Sequence, residues 1–307
     1  MLSFKPEMTP EEAEVVLRKI WPGEVTAVEP IDEGEISRVY RFRDGNRGYV
    51  VHFNRDGERV EKEKRLFDAL GPAGVPIPKI VDAGRAGVLH YTIAEQAAGQ
   101  SIARYDEADQ LRVLPDLIGR FAAIGRVPVA GTRGFGTIGP NGEGLHASWA
   151  DFLAAQFSEA QSGFWQGWHD LFRDSFLERS VYDELYAEMM SLAAYSPAER
   201  SLVHGDFHLG NMLAEGPSVT AIIDWEMAMY GDFVFDLATM HLWYPHLRFP
   251  ERVREAWASE GRDIPKFEER MRCYRLFKGL DGLRFYAKQG HREAYDFIKR
   301  EMTAGKR

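Results

Sequence analysis

Residues 202–226 read LVHGDFHLGNMLAEGPSVTAIIDWE. Within this stretch His204, Asp206 and Asn211 have the spacing H-x-D-x-x-x-x-N, and Asp224 follows an apolar run. Kinases use this spacing for a catalytic loop and follow the loop with a metal-binding aspartate. The apolar runs on either side of the loop predict a strand, a loop and a second strand. We expect this short hairpin to place Asn211 and Asp224 beside Asp206.

The residue types in this stretch suit phosphoryl transfer. An attacking hydroxyl must lose its proton, and the carboxylate of Asp206 can accept it. Mg²⁺ accompanies a nucleoside triphosphate and prefers oxygen ligands, which the amide of Asn211 and the carboxylate of Asp224 supply. Each residue alone would be interpreted as part of a loop or a helix cap. Their joint spacing favours a kinase, with Asp206 as the base and with Asn211 and Asp224 as metal ligands.

Two other motifs compete with this interpretation. His204 and His208 have the H-x-x-x-H spacing of a metal site on a helix, but the glycines around them favour a loop. Residues 134–139 read GFGTIG, which matches the G-x-G-x-x-G of dinucleotide-binding folds. That motif must follow a strand and begin a helix, and residues 140–142, PNG, prevent the helix. We therefore predict a loop over residues 134–139.

Length and composition exclude several classes of protein. The chain has 307 residues, 45% hydrophobic and 28% charged, which predicts about two domains. Its net charge of −9 disfavours a nucleic-acid partner, because proteins that bind phosphate backbones are usually basic. Cys273 is the single cysteine and has no internal disulfide partner, and no apolar run approaches the roughly 18 residues of a membrane helix. We expect a cytoplasmic protein that contacts no membrane.

The negative charge is concentrated in one segment. Residues 95–247 contain 8 basic and 21 acidic residues, whereas residues 1–94 have a net charge of −2 and residues 248–307 of +6. A segment this acidic is a candidate surface for a cationic partner. A solvated acidic face would give the same count, so charge alone leaves the partner open.

Hydrophobic periodicity divides the chain into a β-rich part and a helical part. Strand patterns dominate residues 1–94, and residues 95–99, EQAAG, mark a boundary. Residues 100–307 have mostly helical periodicity. The fold class is therefore α+β, and the helices predicted in the second part cover residues 106–127, 149–157, 165–194, 233–243 and 251–300. Near the N-terminus, Thr9, Pro10 and Glu12 predict the start of one further helix.

The catalytic stretch resembles the aminoglycoside phosphotransferase family, whose members share the bilobal protein-kinase fold. In that family a catalytic H-G-D and an asparagine precede I-D-W or I-D-F, which stand here at residues 204–206, 211 and 223–225. The family's G-D-x-x-x-D-L-A element is matched by residues 231–238, GDFVFDLA. The resemblance implies a structural role for His204 and makes Asp236 a brace for the catalytic loop. An ordinary helix cap is an equally good interpretation of Asp236.

The likeness is greatest to the hygromycin B phosphotransferases and runs over most of the chain. Matching segments are EGEISRVYRF, RGYVVHFN, VPIPKIVDAG, GFGTIGPNGEG and DWEMAMYGD. The resemblance implies that residues 1–94 form a nucleotide-binding lobe, that residues 95–99 are its hinge and that residues 100–307 hold the catalytic loop and the acceptor site. It also implies ATP as the donor, with GTP not excluded, and Mg²⁺.

The same resemblance assigns nucleotide contacts in the N-terminal part. Gly34 and Ser37 would lie in the loop over the phosphates, and Val50 would cover the adenine. His52 stands where the family has lysine or arginine, with Glu63 as its carboxylate partner, and backbone groups of Glu95 and Ala97 would bind the adenine edge. Histidine has a reference pKa of about 6.5 and is only partly charged at pH 7. We expect His52 to be a weaker phosphate contact, so that Mg²⁺ carries more of the charge.

An aminoglycoside is a polycation rich in hydroxyl groups, so its kinase needs carboxylates around the base. Glu226 and Asp232 are the candidates, and Trp225 and Tyr230 are candidates for stacking on sugar rings. A metabolic kinase for an amino alcohol, a sugar or another antibiotic such as a macrolide remains an alternative. A nucleotide-binding regulator without catalysis is a third, and the chain would be a monomer or a dimer.

Overall fold

A computed structural model describes residues 6–31 and 37–304 of the chain. The strands in these ranges are β1 (Thr26–Ile31), β2 (Arg38–Asp44), β3 (Arg47–Asn54), β4 (Ile80–Ala86), β5 (Leu89–Glu95), β6 (Gln100–Ser101), β7 (Phe135–Ile138), β8 (Gly144–His146), β9 (Ser201–Val203), β10 (Met212–Glu215), β11 (Ser218–Ile222) and β12 (Met229–Gly231). The α-helices are α1 (Pro10–Ile20), α2 (Gly57–Leu70), α3 (Glu107–Ile124), α4 (Trp149–Ala155), α5 (Leu171–Asp174), α6 (Arg179–Leu192), α7 (Val234–Trp243), α8 (Phe249–Ser259), α9 (Phe267–Gln289) and α10 (Arg292–Thr303).

The chain divides into two compact units. The first comprises Met1–Val127, Pro140–Gly142 and Leu209–Glu226, and the second comprises Pro128–Gly139, Glu143–His208 and Met227–Arg307. Strands dominate the N-terminal part and helices the C-terminal part, so the predicted α+β class is confirmed. The assignment of residues 1–94, 95–99 and 100–307 to a lobe, a hinge and a second lobe stays a prediction.

Helix α1 begins as its sequence predicts. The Thr9 hydroxyl accepts a hydrogen bond from Glu12 N, and the Glu12 carboxylate accepts one from Thr9 N, which completes a capping box. Ala13 and Leu17, one helical turn apart, are buried against the five-stranded sheet of the first unit.

That sheet has the strand order β1-β2-β3-β5-β4, and all its neighbouring strands are antiparallel. Side chains alternate between its two faces, as the period of a strand requires. Tyr49, Val51 and Phe53 on β3 point into the core formed with α1. Val50 and His52 therefore lie together on the opposite face.

Three predictions for the chain after residue 127 were wrong in detail. Residues 134–139 contain strand β7, which a turn joins to β8, so a hairpin stands where a loop was predicted and no helix follows. The helix predicted over 165–194 is interrupted twice: Gly167 adopts a φ of +67°, outside the helical region, and Ser175, which follows α5, has extended backbone, so that α6 begins only at Arg179. The helix predicted over 251–300 is three helices, separated at Gly261 and Gly290, whose φ angles are +75° and +74°.

The longest helix of the second unit is α9, and its buried face supplies much of that unit's core. Helices α6, α7 and α10 all pack against it. Across the described ranges, none of the helices combines the length and apolar character needed to cross a membrane.

Candidate active site

The loop that begins at His204 is held by a carboxylate from helix α7. Asp236 accepts hydrogen bonds from His204 N at 2.7 Å and from Gly205 N at 2.9 Å. Gly205 has a φ of +86°, and a Cβ atom at this position would lie 2.2 Å from Met227 O. Only glycine fits this close approach of two backbones. The glycine of the H-G-D sequence is thus explained by the geometry of the loop.

Asp206 follows this glycine and keeps a solvent-accessible carboxylate. Its side chain is 38% exposed, and His208 Nε2 lies 3.2 Å from its Oδ2. Burial would raise the pKa of Asp206, but the hydrogen bond from His208 and the charges of His208, Lys278 and His204 outweigh burial and lower the pKa to about 2. The group is therefore an ionised carboxylate at neutral pH, which is the form that can accept a proton.

Asp236 has the opposite electrostatics. It is fully enclosed by protein, and burial raises its pKa to about 7. The hydrogen bonds that it accepts from two backbone N–H groups favour the charged form and oppose this rise. Two aspartates of one loop assembly thus have pKa values far apart. The one that holds the loop is buried, and the one that faces solvent is ionised.

The hairpin predicted around the catalytic loop is not formed, because the strand before the loop, β9, pairs with β12. Asn211 and Asp224 instead lie at one end of the hairpin of β10 and β11 in the first unit. Strands β10 and β11 pair antiparallel with Met212 opposite Ile222, and Ile223 N donates to Asn211 O at 2.9 Å. Asp224, the next residue, is exposed and has a φ of +60°, a left-handed conformation that aspartate tolerates better than most residues.

These two residues offer an amide and a carboxylate from neighbouring backbone positions. Within residues 6–31 and 37–304, no group of three or more His, Cys, Asp or Glu side chains is arranged to hold a metal ion. A donor set of Asn211 and Asp224 suits Mg²⁺, which usually binds one or two protein oxygens and takes its other ligands from water and phosphates.

The sheet face that carries Val50 and His52 also holds buried polar side chains. Asn54 and Thr92 alternate onto this face, and the polar atoms of both are buried without a hydrogen-bond partner among the described residues. The same is true of the Ser37 hydroxyl, just before β2. Unpaired buried polar groups are costly, and these lie in the part of the sheet that carries Val50 and His52.

The remaining residues predicted to bind the nucleotide are Gly34, Glu63, Glu95 and Ala97. Gly34 lies outside the described residues. Glu63 is half-buried on α2. Glu95 ends β5, where its N–H donates to Lys79 O at 2.9 Å, and Ala97 lies in the connection from β5 to β6.

The structure separates the four acceptor candidates into two kinds. Asp232, Trp225 and Tyr230 are buried, and Asp232 is engaged by Arg270 and Tyr274. Because such side chains cannot reach a ligand without unpacking, we leave these three out of the acceptor site.

Glu226 is the fourth acceptor candidate. It is half-buried, and its backbone carbonyl accepts from Lys62 Nζ at 2.6 Å. A half-buried carboxylate can still meet a ligand, so Glu226 stays a candidate.

Two residues beside the loop carry no role in the kinase interpretation of the sequence. His208 entered only the metal-site alternative, although its position two residues after Asp206 could have indicated a contact with that carboxylate. Lys278 on α9 donates to Gly205 O at 3.3 Å. Nothing near Lys278 in the sequence marks it, because the contact joins segments that are far apart in the chain.

Comparison with known proteins agrees with this geometry. A family described as the phosphotransferase enzyme family matches residues 27–274. Hygromycin-B 4-O-kinase of Escherichia coli is 31% identical over 280 residues, which are 91% of this chain and 80% of that protein.

Solved structures give the same result. A thermostable mutant of aminoglycoside phosphotransferase APH(4)-Ia, in a ternary complex with AMP-PNP and hygromycin B, superposes with a TM-score of 0.77 at 28% identity, over 95% of this chain and 96% of that chain. Macrolide 2'-phosphotransferase type I, at 14% identity, shares the fold with a TM-score of 0.64 over 95% of this chain and 96% of that chain. The resemblance read from the catalytic motif is thereby confirmed, and the chain belongs to the phosphotransferase enzyme family, with the kinase-like fold of the aminoglycoside phosphotransferases.

Proposed function

We propose that this enzyme transfers the γ-phosphoryl group of ATP to a hydroxyl group of an aminoglycoside or aminocyclitol antibiotic of the hygromycin B type. The observation that carries the proposal is the ionised, accessible carboxylate of Asp206 on a loop fixed by Asp236. Family membership and the identity with a hygromycin-B kinase over most of both chains support the choice of reaction and acceptor.

In the proposed reaction Asp206 is the general base. The acceptor hydroxyl gives its proton to the carboxylate of Asp206, and its oxygen forms a bond to the γ-phosphorus. The bond between the γ-phosphorus and the bridging oxygen of the β-phosphate breaks, and ADP leaves with the electron pair. His208, 3.2 Å from the Asp206 carboxylate, keeps that group ionised and orients it.

The proposed nucleotide site lies on the sheet face of Val50 and His52. Val50 would pack on the base, and the His52 ring would donate to a phosphate oxygen. Ser37, just before β2, would belong to the loop over the phosphates. Backbone groups of Glu95 and Ala97 would bind the base edge, an arrangement that accepts GTP as well as ATP.

The proposed metal ligands are Asn211 and Asp224. Mg²⁺ bound there would neutralise charge on the triphosphate, which matters more in a chain that has histidine at position 52. The chain's own contribution is to hold two oxygen donors on a paired hairpin, where β10 and β11 limit their movement.

The proposed acceptor site is acidic. Its leading protein group is Glu226, a half-buried carboxylate two residues after Asp224, which would pair with an ammonium group of the antibiotic. The net charge of −13 between residues 95 and 247 would attract a polycation.

The test is phosphate transfer by the purified protein. The protein is incubated with γ-labelled ATP and Mg²⁺ in the presence of hygromycin B, other aminoglycosides, a macrolide or choline, and labelled product is identified by mass spectrometry. We expect phosphorylated hygromycin B with the wild type and a loss of about 10²- to 10⁴-fold in kcat with Asp206→Asn. Turnover of the macrolide or choline alone would keep the kinase and reject the acceptor.

A further inference from the structure

We infer that Lys278, on helix α9, is a positioning residue for the catalytic base, because its ammonium group binds the carbonyl of the peptide that leads into Asp206. The inference rests on the proposed function, since it assigns Asp206 the role of base. It adds a residue that the catalytic motif does not contain.

The first step is the geometry of one glycine. Gly205 donates its N–H to the Asp236 carboxylate at 2.9 Å, and its carbonyl accepts from Lys278 Nζ at 3.3 Å. Both polar groups of Gly205 are therefore fixed by side chains, one from α7 and one from α9. The carbonyl of Gly205 belongs to the peptide plane that includes Asp206 N. Fixing that plane sets the direction in which the Asp206 side chain leaves the backbone.

The second step is the contact of the ammonium group with an aromatic ring. Lys278 Nζ lies 4.8 Å from the centroid of the Phe235 ring, a distance at which a cation is attracted to the ring face. Phe235 precedes Asp236 on α7, so the helix that holds the Gly205 N–H also supplies the surface on which Lys278 rests. The side chain is partly buried, which restricts its alternatives.

The third step is charge. The ionisable groups around the ammonium are Asp206, Asp236 and Asp281, and the two histidines of the loop, His204 and His208, also act on Asp206. Burial lowers the pKa of Lys278, and the three carboxylates oppose that effect. The Lys278 charge contributes to keeping the pKa of Asp206 low. Removing it should leave Asp206 less readily ionised and less well oriented.

The experiment compares Lys278→Met and Lys278→Arg with the wild type and with Lys288→Met. Lys288 lies on the same helix and is exposed, so its variant removes an equal charge away from the loop. Each variant is measured for kcat and KM with ATP and hygromycin B, for the pH profile of kcat/KM, and for hydrogen–deuterium exchange of peptides that cover residues 203–209.

We expect Lys278→Met to lower kcat on the order of 10- to 100-fold with KM for ATP within about twofold of the wild type. The acid limb of its pH profile should move to higher pH, and the loop amides should exchange faster. Lys278→Arg should recover most of the activity and protection, and Lys288→Met should match the wild type. If Lys278→Met does not fold, Lys278→Gln replaces it in every measurement.

Unchanged loop exchange in a folded, charge-removing variant overturns the inference, as does a loss of kcat with an unmoved acid limb. Failure of the proposed function is a different result. In that case the wild type phosphorylates no aminoglycoside, while the exchange experiment still decides whether Lys278 holds the loop.

Discussion

Arg270 donates to both carboxylate oxygens of Asp232, with Nε 2.8 Å from Oδ2 and Nη2 2.5 Å from Oδ1. The two side chains are only 4% and 1% exposed. Tyr274, one turn further along α9, donates to the same carboxylate at 2.6 Å. The first aspartate of the GDFVFDLA element is thus bound to α9, and the second, Asp236, holds the catalytic loop. One short element therefore links the loop to the longest helix of the second unit.

Removing the arginine of this ion pair should lower the stability of the protein. Arg270→Met leaves the Asp232 carboxylate buried with its charge uncompensated, and we expect the free energy of unfolding to fall by about 3–5 kcal/mol. Urea denaturation followed by circular dichroism measures the change. The control is Arg254→Met, which removes an exposed pair with Glu268 and should cost at most about 1 kcal/mol. Equal losses of unfolding free energy in the two variants would show that the buried position of the Arg270–Asp232 pair adds nothing to its contribution to stability.

Replacing the carboxylate that holds the loop should weaken both stability and catalysis. Asp236→Asn keeps one acceptor oxygen and loses the other, so either His204 N or Gly205 N becomes an unsatisfied buried donor. We expect a loss of about 1–3 kcal/mol in the free energy of unfolding and a lower kcat with KM for ATP nearly unchanged. A variant with wild-type stability and kcat would contradict a holding role for Asp236.

The loss of unfolding free energy caused by Asp236→Asn should also depend on pH. Because the pKa of Asp236 is raised to about 7 in the folded chain, the folded state holds a proton that the unfolded state releases near pH 4. The contribution of this residue to stability should therefore be greatest below about pH 4 and should decrease as pH rises towards 7. Denaturation of both proteins between pH 4 and 8 measures it, and a difference that grows with pH would be the wrong sign.

Removing the histidine beside the base should move the pH dependence of catalysis. His208 lowers the pKa of Asp206 through a hydrogen bond and a charge. His208→Gln should therefore raise the pKa of Asp206 and shift the acid limb of kcat/KM to higher pH, because only the ionised carboxylate accepts a proton. The profile is measured with ATP and hygromycin B at saturating Mg²⁺. An acid limb that stays in place would mean that His208 does not act through Asp206.

Local signals in the sequence were sufficient for several elements. The capping residues Thr9 and Glu12 set the start of α1, and the strand patterns of residues 1–94 correspond to the five-stranded sheet of the first unit. In these cases the determining contacts join residues that are close in the chain.

Contacts between distant segments were not accessible in this way. Nothing in the local sequence distinguishes the buried Asp232 from the half-buried Glu226 as a candidate for a cationic acceptor, because the partner of Asp232, Arg270, is 38 residues away. Trp225 and Tyr230 have the composition of a sugar platform, but the folded chain buries them. Lys278 reaches Gly205 across a separation of 73 residues. Burial and partner choice arise from tertiary packing, which periodicity does not encode.

The histidine that stands in the lysine position should limit nucleotide affinity. His52 lies on the face of β3 opposite the hydrophobic core, between Val39 on β2 and Thr92 on β5. If its ring donates to a phosphate oxygen, His52→Ala should raise KM for ATP about tenfold, the equivalent of one charge-assisted hydrogen bond of roughly 1.5 kcal/mol. His52→Lys should lower KM below the wild-type value, because a lysine is longer and fully charged at neutral pH.

Steady-state kinetics with varied ATP and fixed hygromycin B measure both variants. His291→Ala is the matched control, since His291 is exposed at the start of α10, and it should leave KM for ATP unchanged. The stability of His52→Ala is checked by urea denaturation, because the ring is half-buried in the sheet. If His52→Ala leaves KM for ATP unchanged, His52 does not belong to the nucleotide site. The phosphate charge would then be neutralised by the bound Mg²⁺ and by basic side chains nearby in the sequence, namely Arg47, Arg55 and Lys62.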